Sequence, residues 1–303
     1  MNTALLSRQE QLDKLGRQIS DIARIDGDHA TAIPALTIYR RSTVTEPMPT
    51  VYTMGLGITI QGGKRVVQGG QVFDHGPGQA LVASIDLPAA VHVTRAKAAA
   101  PYLGIRLDFE LETITRFAEA ANLSKPNRRA TFRALSVLSL DLGVLDALGR
   151  LIQILAEPKL TASIAPLIQH EIFARLLLGP QGTALNHLIA AGTPARQIAH
   201  VIHWLKANYA ESSPIDDLAA MVHMSPSTFR EHFRAFAGIS PLQYLKQLRL
   251  QSARLMMLNQ GIDASNAAAR VGYESPSQFS REYSRLFGAP PQRDIRRARS
   301  VGG

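Results

Sequence analysis

The chain has 303 residues, 46% of them hydrophobic and 19% charged, a balance that supports about two folded domains and excludes a disordered chain or a small cross-linked scaffold. It contains no cysteine, which excludes a disulfide framework, a thiolate zinc site and a cysteine nucleophile. The net charge is +9 and uneven: from Ala195 onward 14 basic residues face 8 acidic ones, so about a third of the chain carries +6 of it. That points to a polyanionic partner, nucleic acid first, or to a soluble basic surface with no such partner.

In chain order, Leu5, Leu12, Leu15, Ile19 and Ile22 recur at helical spacing and predict an amphipathic helix over Met1–Ile25. Arg8 and Glu10 interrupt this start too early for a signal peptide, and no apolar run reaches the roughly 18 residues of a membrane span. The expectation is a cytoplasmic, nucleoid-associated protein with no membrane contact. Short β-prone runs follow at Leu36–Tyr39, Gly57–Ile60, Val66–Val67, Val72–Phe73, Ala80–Ala83, Val91–Thr94 and Tyr102–Leu107. Gly62-Gly63, Gly69-Gly70 and Gly76-Pro77-Gly78 punctuate them, as in a β-sandwich or small barrel. Helical periodicity then takes over at Leu111–Ala121, Leu140–Ala156 and Ile164–Leu178, with a polar loop at Asn122–Arg129. Gly179-Pro180-Gln181-Gly182 stops the last of these, and Gly192-Thr193-Pro194 marks a boundary between residues 1–192 and 193–303.

The second part carries a repeat. Ile215–Val222 predicts a short helix with Leu218 and Met221 inward and Ala219 and Ala220 small enough for a close crossing. His223-Met224 turns the chain. Ser225 caps a second helix with Pro226 at its first position, Phe229, Phe233 and Phe236 on its buried side, and Gly238 at its end. The pattern returns with Ala268 and Ala269, the turn Gly272-Tyr273-Glu274, the Ser275-Pro276 start, Phe279, Tyr283 and Leu286, and Gly288. Between the copies Pro241–Leu258 reads as one helix with Leu242, Leu245, Leu248, Ala253 and Leu255 on its apolar face. About 27 Å of helix, plus packing at each end, sets the two second helices about one DNA turn apart, so one monomer enters two successive major grooves of a duplex. His223 stands where the second copy has Gly272, a position that favours glycine if φ is positive.

The segments LAAMVHMSPSTFREHFRAFAGISPLQYLKQLRLQSARLMML and AAARVGYESPSQFSREYSRLFGAPP resemble the arabinose-regulator (AraC/XylS) family of bacterial transcription regulators. LGITIQGGKRV, Asp86–Ala89, YLGIRLDFE and RLLLGPQG are similar to one class of sensor domain found in that family. The resemblance implies an α+β chain of two domains: a cupin-like β-barrel with flanking helices, and an all-α double helix-turn-helix. It also implies a homodimer, with helices in Leu140–Leu178 as the surface, and RNA polymerase as a partner if the protein is an activator. Ser227, Arg230 and Glu231 fall at the family's base-reading positions, matched by Ser277, Gln278 and Arg281 in the second copy. Arginine suits guanine, glutamine adenine and glutamate the cytosine amine; a solvated helix face is the alternative for each. Phosphate contacts are expected from Ser225 and Ser275 and from Arg234, Lys246, Arg249 and Arg285. Arg293, Arg296, Arg297 and Arg299 add nonspecific attraction or form a solvated tail.

A barrel interior holds a small effector or is filled by side chains. Gln61, His75, His92 and Arg106 are the candidate ligand contacts. His75 and His92 lack the His-x-His spacing of metal-binding cupins, so no metal and no cofactor are expected. Gly57–Lys64 suggests a phosphate loop, but Arg65 replaces the needed Ser/Thr, and a turn between strands fits better. His170-Glu171 lacks a second histidine, with Ala174 in its place. Arg40-Arg41 meets an anionic effector or ends an exposed strand. Three functions stay open: an effector-modulated regulator, a barrel-type enzyme fused to a DNA-binding module, and a ligand-free regulator governed by a partner protein. No cluster of catalytic groups is legible.

Overall fold

The computed structural model describes residues 7–109, 112, 134–179 and 193–301. Helix α1 (Arg8–Ile22) opens with a reciprocal cap, in which the Ser7 hydroxyl accepts from the Glu10 N–H and the Glu10 carboxylate accepts from the Ser7 N–H. Leu12, Leu15 and Ile19 are its buried stripe, while Ile22 is exposed and the helix stops short of Ile25.

Ten strands follow: β1 (Gly27–Ala30), β2 (Leu36–Arg41), β3 (Met48–Tyr52), β4 (Gly55–Gln61), β5 (Gly63–Gln68), β6 (Gln71–His75), β7 (Gln79–Ala83), β8 (Leu87–Arg95), β9 (Tyr102–Asp108) and β10 (Leu135–Ser139). They form two antiparallel sheets, ordered β1-β2-β9-β4-β7-β10 and β3-β8-β5-β6, facing each other as a two-sheet barrel. Each β-prone run of the sequence lies in a strand. β1, β3 and β10 have no counterpart in the sequence pattern, and all three are sheet edges. An edge pairs on one side only and needs less apolar alternation; Pro49 in β3 is tolerated for the same reason.

The outer face of the six-stranded sheet is covered by α1, α2 (Leu142–Gln153) and α3 (Pro158–Leu178). Ile38, Ile58, Leu103 and Ile105 share one core there with Leu12, Leu15, Leu148 and Ile172. The expected helix Leu140–Ala156 is α2 plus a 3₁₀ turn at Ile154–Ala156, and α3 begins six residues before Ile164. The expected segments Leu111–Ala121 and Asn122–Arg129 lie outside the described residues apart from Glu112.

The C-terminal part is helical throughout: α4 (Pro194–Ala207), α5 (Ile215–Met221), α6 (Pro226–Ala237), α7 (Pro241–Gln260), α8 (Ala264–Arg270), α9 (Pro276–Phe287) and α10 (Pro291–Val301). Its first unit does not have a core of its own. Ile198 and Ile202 of α4, Phe229 and Phe233 of α6, and Tyr244 of α7 belong to the same apolar cluster as the barrel domain, whereas Phe279, Tyr283 and Met257 build a separate one. This corrects the expected face of the linking helix. Leu242 and Leu255 are 59% and 57% exposed. Leu245 and Leu248 serve the first core, and Leu250, Ala253 and Met257 the second. The buried side of α7 therefore shifts along its length instead of keeping one stripe.

Candidate nucleic-acid interface

The two units repeat each other bond for bond. The Met224 N–H donates to the Ala219 carbonyl and the Tyr273 N–H to the Ala268 carbonyl, both at 3.0 Å. Ala219 and Ala268 are the buried small residues at the crossings. Ala220 and Ala269, expected there too, are exposed, and Leu218 and Ala267 take the adjoining buried positions. His223 does adopt positive φ, 55°, against 81° at Gly272. The His223 side chain has room because it is exposed, whereas a Cβ at Gly272 would sit 2.4 Å from the Ala210 carbonyl oxygen.

Ser225 and Ser275 cap α6 and α9, accepting from the Thr228 and Gln278 N–H groups, and Gly238 and Gly288 end them at φ 71° and 75°. Under each helix lies an aromatic stack: Phe229, Phe233 and Tyr244 in the first unit; Tyr273, Phe279, Tyr283 and Phe287 in the second. Phe236 and Leu286, expected inside, are half-buried. These stacks orient the opposite sides outward. Ser227, Arg230, Glu231 and Arg234 on α6 and Ser277, Gln278, Arg281 and Arg285 on α9 are all exposed. The five charged members make no hydrogen bond or ion pair with the described residues. Gln278 donates to Glu282 at 3.2 Å.

Two expected phosphate ligands are otherwise engaged. Lys246 pairs with Glu282 at 2.8 Å, and Glu282 also accepts from the Tyr273 hydroxyl at 2.7 Å. Arg249 donates to the carbonyls of Tyr209, Glu211 and Gly272 at 2.6, 2.9 and 3.0 Å. It ties the chain after α4 to the second turn, and this takes it out of the phosphate set. In α10, Arg299 donates to the Met257 carbonyl at 2.9 Å.

The barrel separates the four candidate ligand residues. His75 and Arg106 face the interior. His75 Nδ1 meets the Thr59 hydroxyl at 2.9 Å across the two sheets, and burial, reinforced by nearby Lys64, pulls its pKa down to about 3. Arg106 lies 4.4 Å from the Tyr52 ring centre and donates to Asp108 at 2.7 Å. His92 pairs in register with Arg65, one position from Lys64, and so points to the opposite face of its sheet. Gln61 donates its amide to the Pro101 carbonyl at 2.8 Å. Arg40 and Arg41 end an exposed strand, held by Asp26 and Asp28. No cluster among the described residues groups three or more His, Asp or Glu side chains that could hold a metal.

What the sequence did not reveal is how the halves meet. Asp86 accepts from the Met54 N–H and pairs with Lys206 of α4 at 2.7 Å. The Gln68 amide, on the β5–β6 hairpin, donates to the Ala237 carbonyl at the end of α6 at 2.6 Å. Between them is a cleft of about 900 Å³, walled by Thr53, Asp86 and Asp108 on one side and by His200, Lys206 and His223 on the other.

A pair of matching capped helices, bare on one side and mounted on a β-barrel, defines a double helix-turn-helix DNA-binding regulator. Residues 32–184 match the AraC-type transcriptional regulator N-terminus and residues 218–297 a helix-turn-helix domain. The chain belongs to the AraC family of transcriptional regulators. That family is not enzymatic, which sets the enzyme alternative aside.

The chain is 36% identical over 87 residues to the RCS-specific HTH-type transcriptional activator RclR of Escherichia coli, covering 29% of this chain and 31% of RclR. It is 27% identical over 128 residues to the HTH-type transcriptional activator RhaS of Escherichia coli, covering 42% and 45%. The matches thus span less than half of either relative. The apo form of ToxT from Vibrio cholerae superposes with a TM-score of 0.61 over 88% of this chain and 98% of its own, at 8% identity. ToxT bound to (E)-4-(8-methylnaphthalen-1-yl)but-3-enoic acid gives 0.60 over 86% and 97%, at 10% identity. These two establish the shared two-domain fold. No helix among the described residues is long and apolar enough to cross a membrane.

Proposed function

We propose that α6 and α9 enter successive major grooves of one duplex and that a small molecule in the barrel modulates this binding. Ser227, Arg230, Glu231, Ser277, Gln278 and Arg281 read bases; Ser225, Ser275, Arg234 and Arg285, with the helix N-termini, hold phosphates. The observation that carries the DNA reading is the exposed, unpaired row of charges on each helix, backed by a fully buried aromatic stack. Helix α7 has 20 residues, about 30 Å, which suits the roughly 34 Å between successive major grooves.

The effector reading is supported by the polar barrel interior and by the cleft that joins its wall to the His223 turn. A solved relative of this fold carries a butenoic acid ligand. Dimerisation through α2 and α3, contact with RNA polymerase and a cytoplasmic location complete the proposal. Footprinting of the purified protein across its genome tests it: the expected result is a bipartite site whose halves lie about one helical turn apart. A single half-site, or protection without sequence preference, overturns the two-groove reading. Thermal shifts with a metabolite panel test the effector.

A further inference from the structure

We infer that the barrel interior binds a small carboxylate, its anionic group seated between the Lys64 ammonium and the Arg106 guanidinium. This rests on the effector reading and names the ligand class.

Lys64 lies on β5 directly across from His75. Its ammonium sits 5.3 Å from the centre of the Tyr39 ring and 5.7 Å from that of Tyr52, and it has no hydrogen bond or ion pair with the described residues. Arg106 approaches the same Tyr52 ring, so both cations converge on one side chain. Asp108 neutralises Arg106, and Arg106 also donates to the carbonyl and hydroxyl of Thr53. Lys64 has no such counter-charge in contact. Burial and the fields of Arg106 and Arg41 draw its pKa down to about 8, with Asp28 acting the other way.

The unsatisfied groups around it are of one kind. Arg106 is 6% exposed and its Nη1 is buried with no acceptor. The Tyr52 hydroxyl is buried and unpartnered too, as is Nε2 of the neutral His75. An ammonium, a guanidinium N–H and a phenol are donors in search of an acceptor. A carboxylate brings two acceptor oxygens, no donor and the single negative charge that Lys64 lacks. A neutral polyol would bring donors that meet donors, and a phosphate dianion would exceed the one uncompensated positive charge. The interior is also cleared on the sheet side: a Cβ at Gly57 would lie 1.8 Å from the Tyr52 hydroxyl, and one at Gly104 2.4 Å from that of Tyr102. These rings therefore lie close over bare backbone and offer flat walls to an apolar body. Thr53 and Asp108, which hold Arg106, also line the interdomain cleft, so a ligand that draws on Arg106 pulls on the wall facing His223.

The test uses the full-length protein with sodium benzoate and sodium octanoate, and with benzamide and octanamide as neutral isosteres. Thermal shift and calorimetry at pH 7 are expected to show saturable binding of at least one carboxylate and none of its amide. Lys64→Met is expected to weaken that binding at least tenfold without lowering the melting temperature, while Lys159→Met, on exposed α3, leaves it unchanged. Calorimetry at pH 8.5 in buffers of different ionisation enthalpy should show proton uptake on binding, because the anion restores the full charge of Lys64. Amides binding as well as the acids, Lys64→Met binding like the parent, an absence of proton uptake, or no binding by either acid overturns the inference. A neutral metabolite that stabilises both the parent and Lys64→Met would overturn it while leaving the effector reading in place. A broad metabolite panel without any shift removes the effector reading itself.

Discussion

Arg249→Met separates a structural role from a DNA-contacting one at a single side chain. The substitution keeps most of the aliphatic stem and removes three charged N–H···O=C bonds. Each such bond contributes about 1.5–3 kcal/mol. The Glu211 carbonyl is on an exposed segment and turns to water, whereas Tyr209 and Gly272 are half-buried and lose a donor with little to replace it. Two bonds, discounted for the partial access of water, give a loss of about 2–4 kcal/mol. In a domain of this size that lowers the melting temperature by on the order of 10 °C or more. Lysine at the same position cannot reach three carbonyls at once and recovers only part of the loss. Circular dichroism melts give the stability, and a salt titration of operator affinity gives the phosphate count. The structure requires a large fall in melting temperature with the salt slope nearly unchanged. Unchanged melting together with a salt slope shallower by about one would return Arg249 to the phosphate backbone and refute the reasoning.

Arg281→Ala is expected to cost about 1–3 kcal/mol at one base pair and relax preference there, read by binding to a set of single-base operator variants; uniform weakening on all sequences contradicts base reading. His75 is held neutral in the fold, with a pKa of about 3 against 6.5 when unfolded, so the unfolded chain takes up the extra proton as pH falls below 6.5. Its contribution is present above that pH and is lost at about 1.4 kcal/mol per pH unit as pH drops toward 3. Denaturant titrations at pH 6.5 and 5 should therefore show the parent losing about 2 kcal/mol more than His75→Gln, and parallel losses would contradict the assignment. His223→Gly relieves a left-handed backbone in an open site and should gain up to about 1 kcal/mol. Gly272→Ala adds backbone strain and a collision with the Ala210 carbonyl and should lose about 2–4 kcal/mol. Equal effects of opposite sign at the two turns would mean that the collision counts for nothing.

The features legible in the sequence are those that a few neighbouring residues decide. A serine followed by proline starts a helix because the hydroxyl caps a free N–H and proline has none to lose, and a glycine ends it because it alone enters positive φ without cost. Phenylalanines four residues apart fix which side is buried, and hence which side Arg230 and Arg281 present. Central strands announce themselves because both of their neighbours demand apolar alternation; the edge strands β1, β3 and β10 face no such demand and passed unnoticed.

The sequence by itself thus determined two matching helix-turn-helix units, their caps and their outward charges, since all of these are local. Only the tertiary structure decided that the first unit shares its core with the barrel while the second stands on its own, which turns α7 from one apolar stripe into two. It also decided the fate of individual cations. Arg249 and Lys64 look alike in sequence, each a charge amid apolar neighbours. Which carbonyls or rings a long side chain meets depends on segments up to 40 residues away being brought beside it, and no spacing along the chain encodes that.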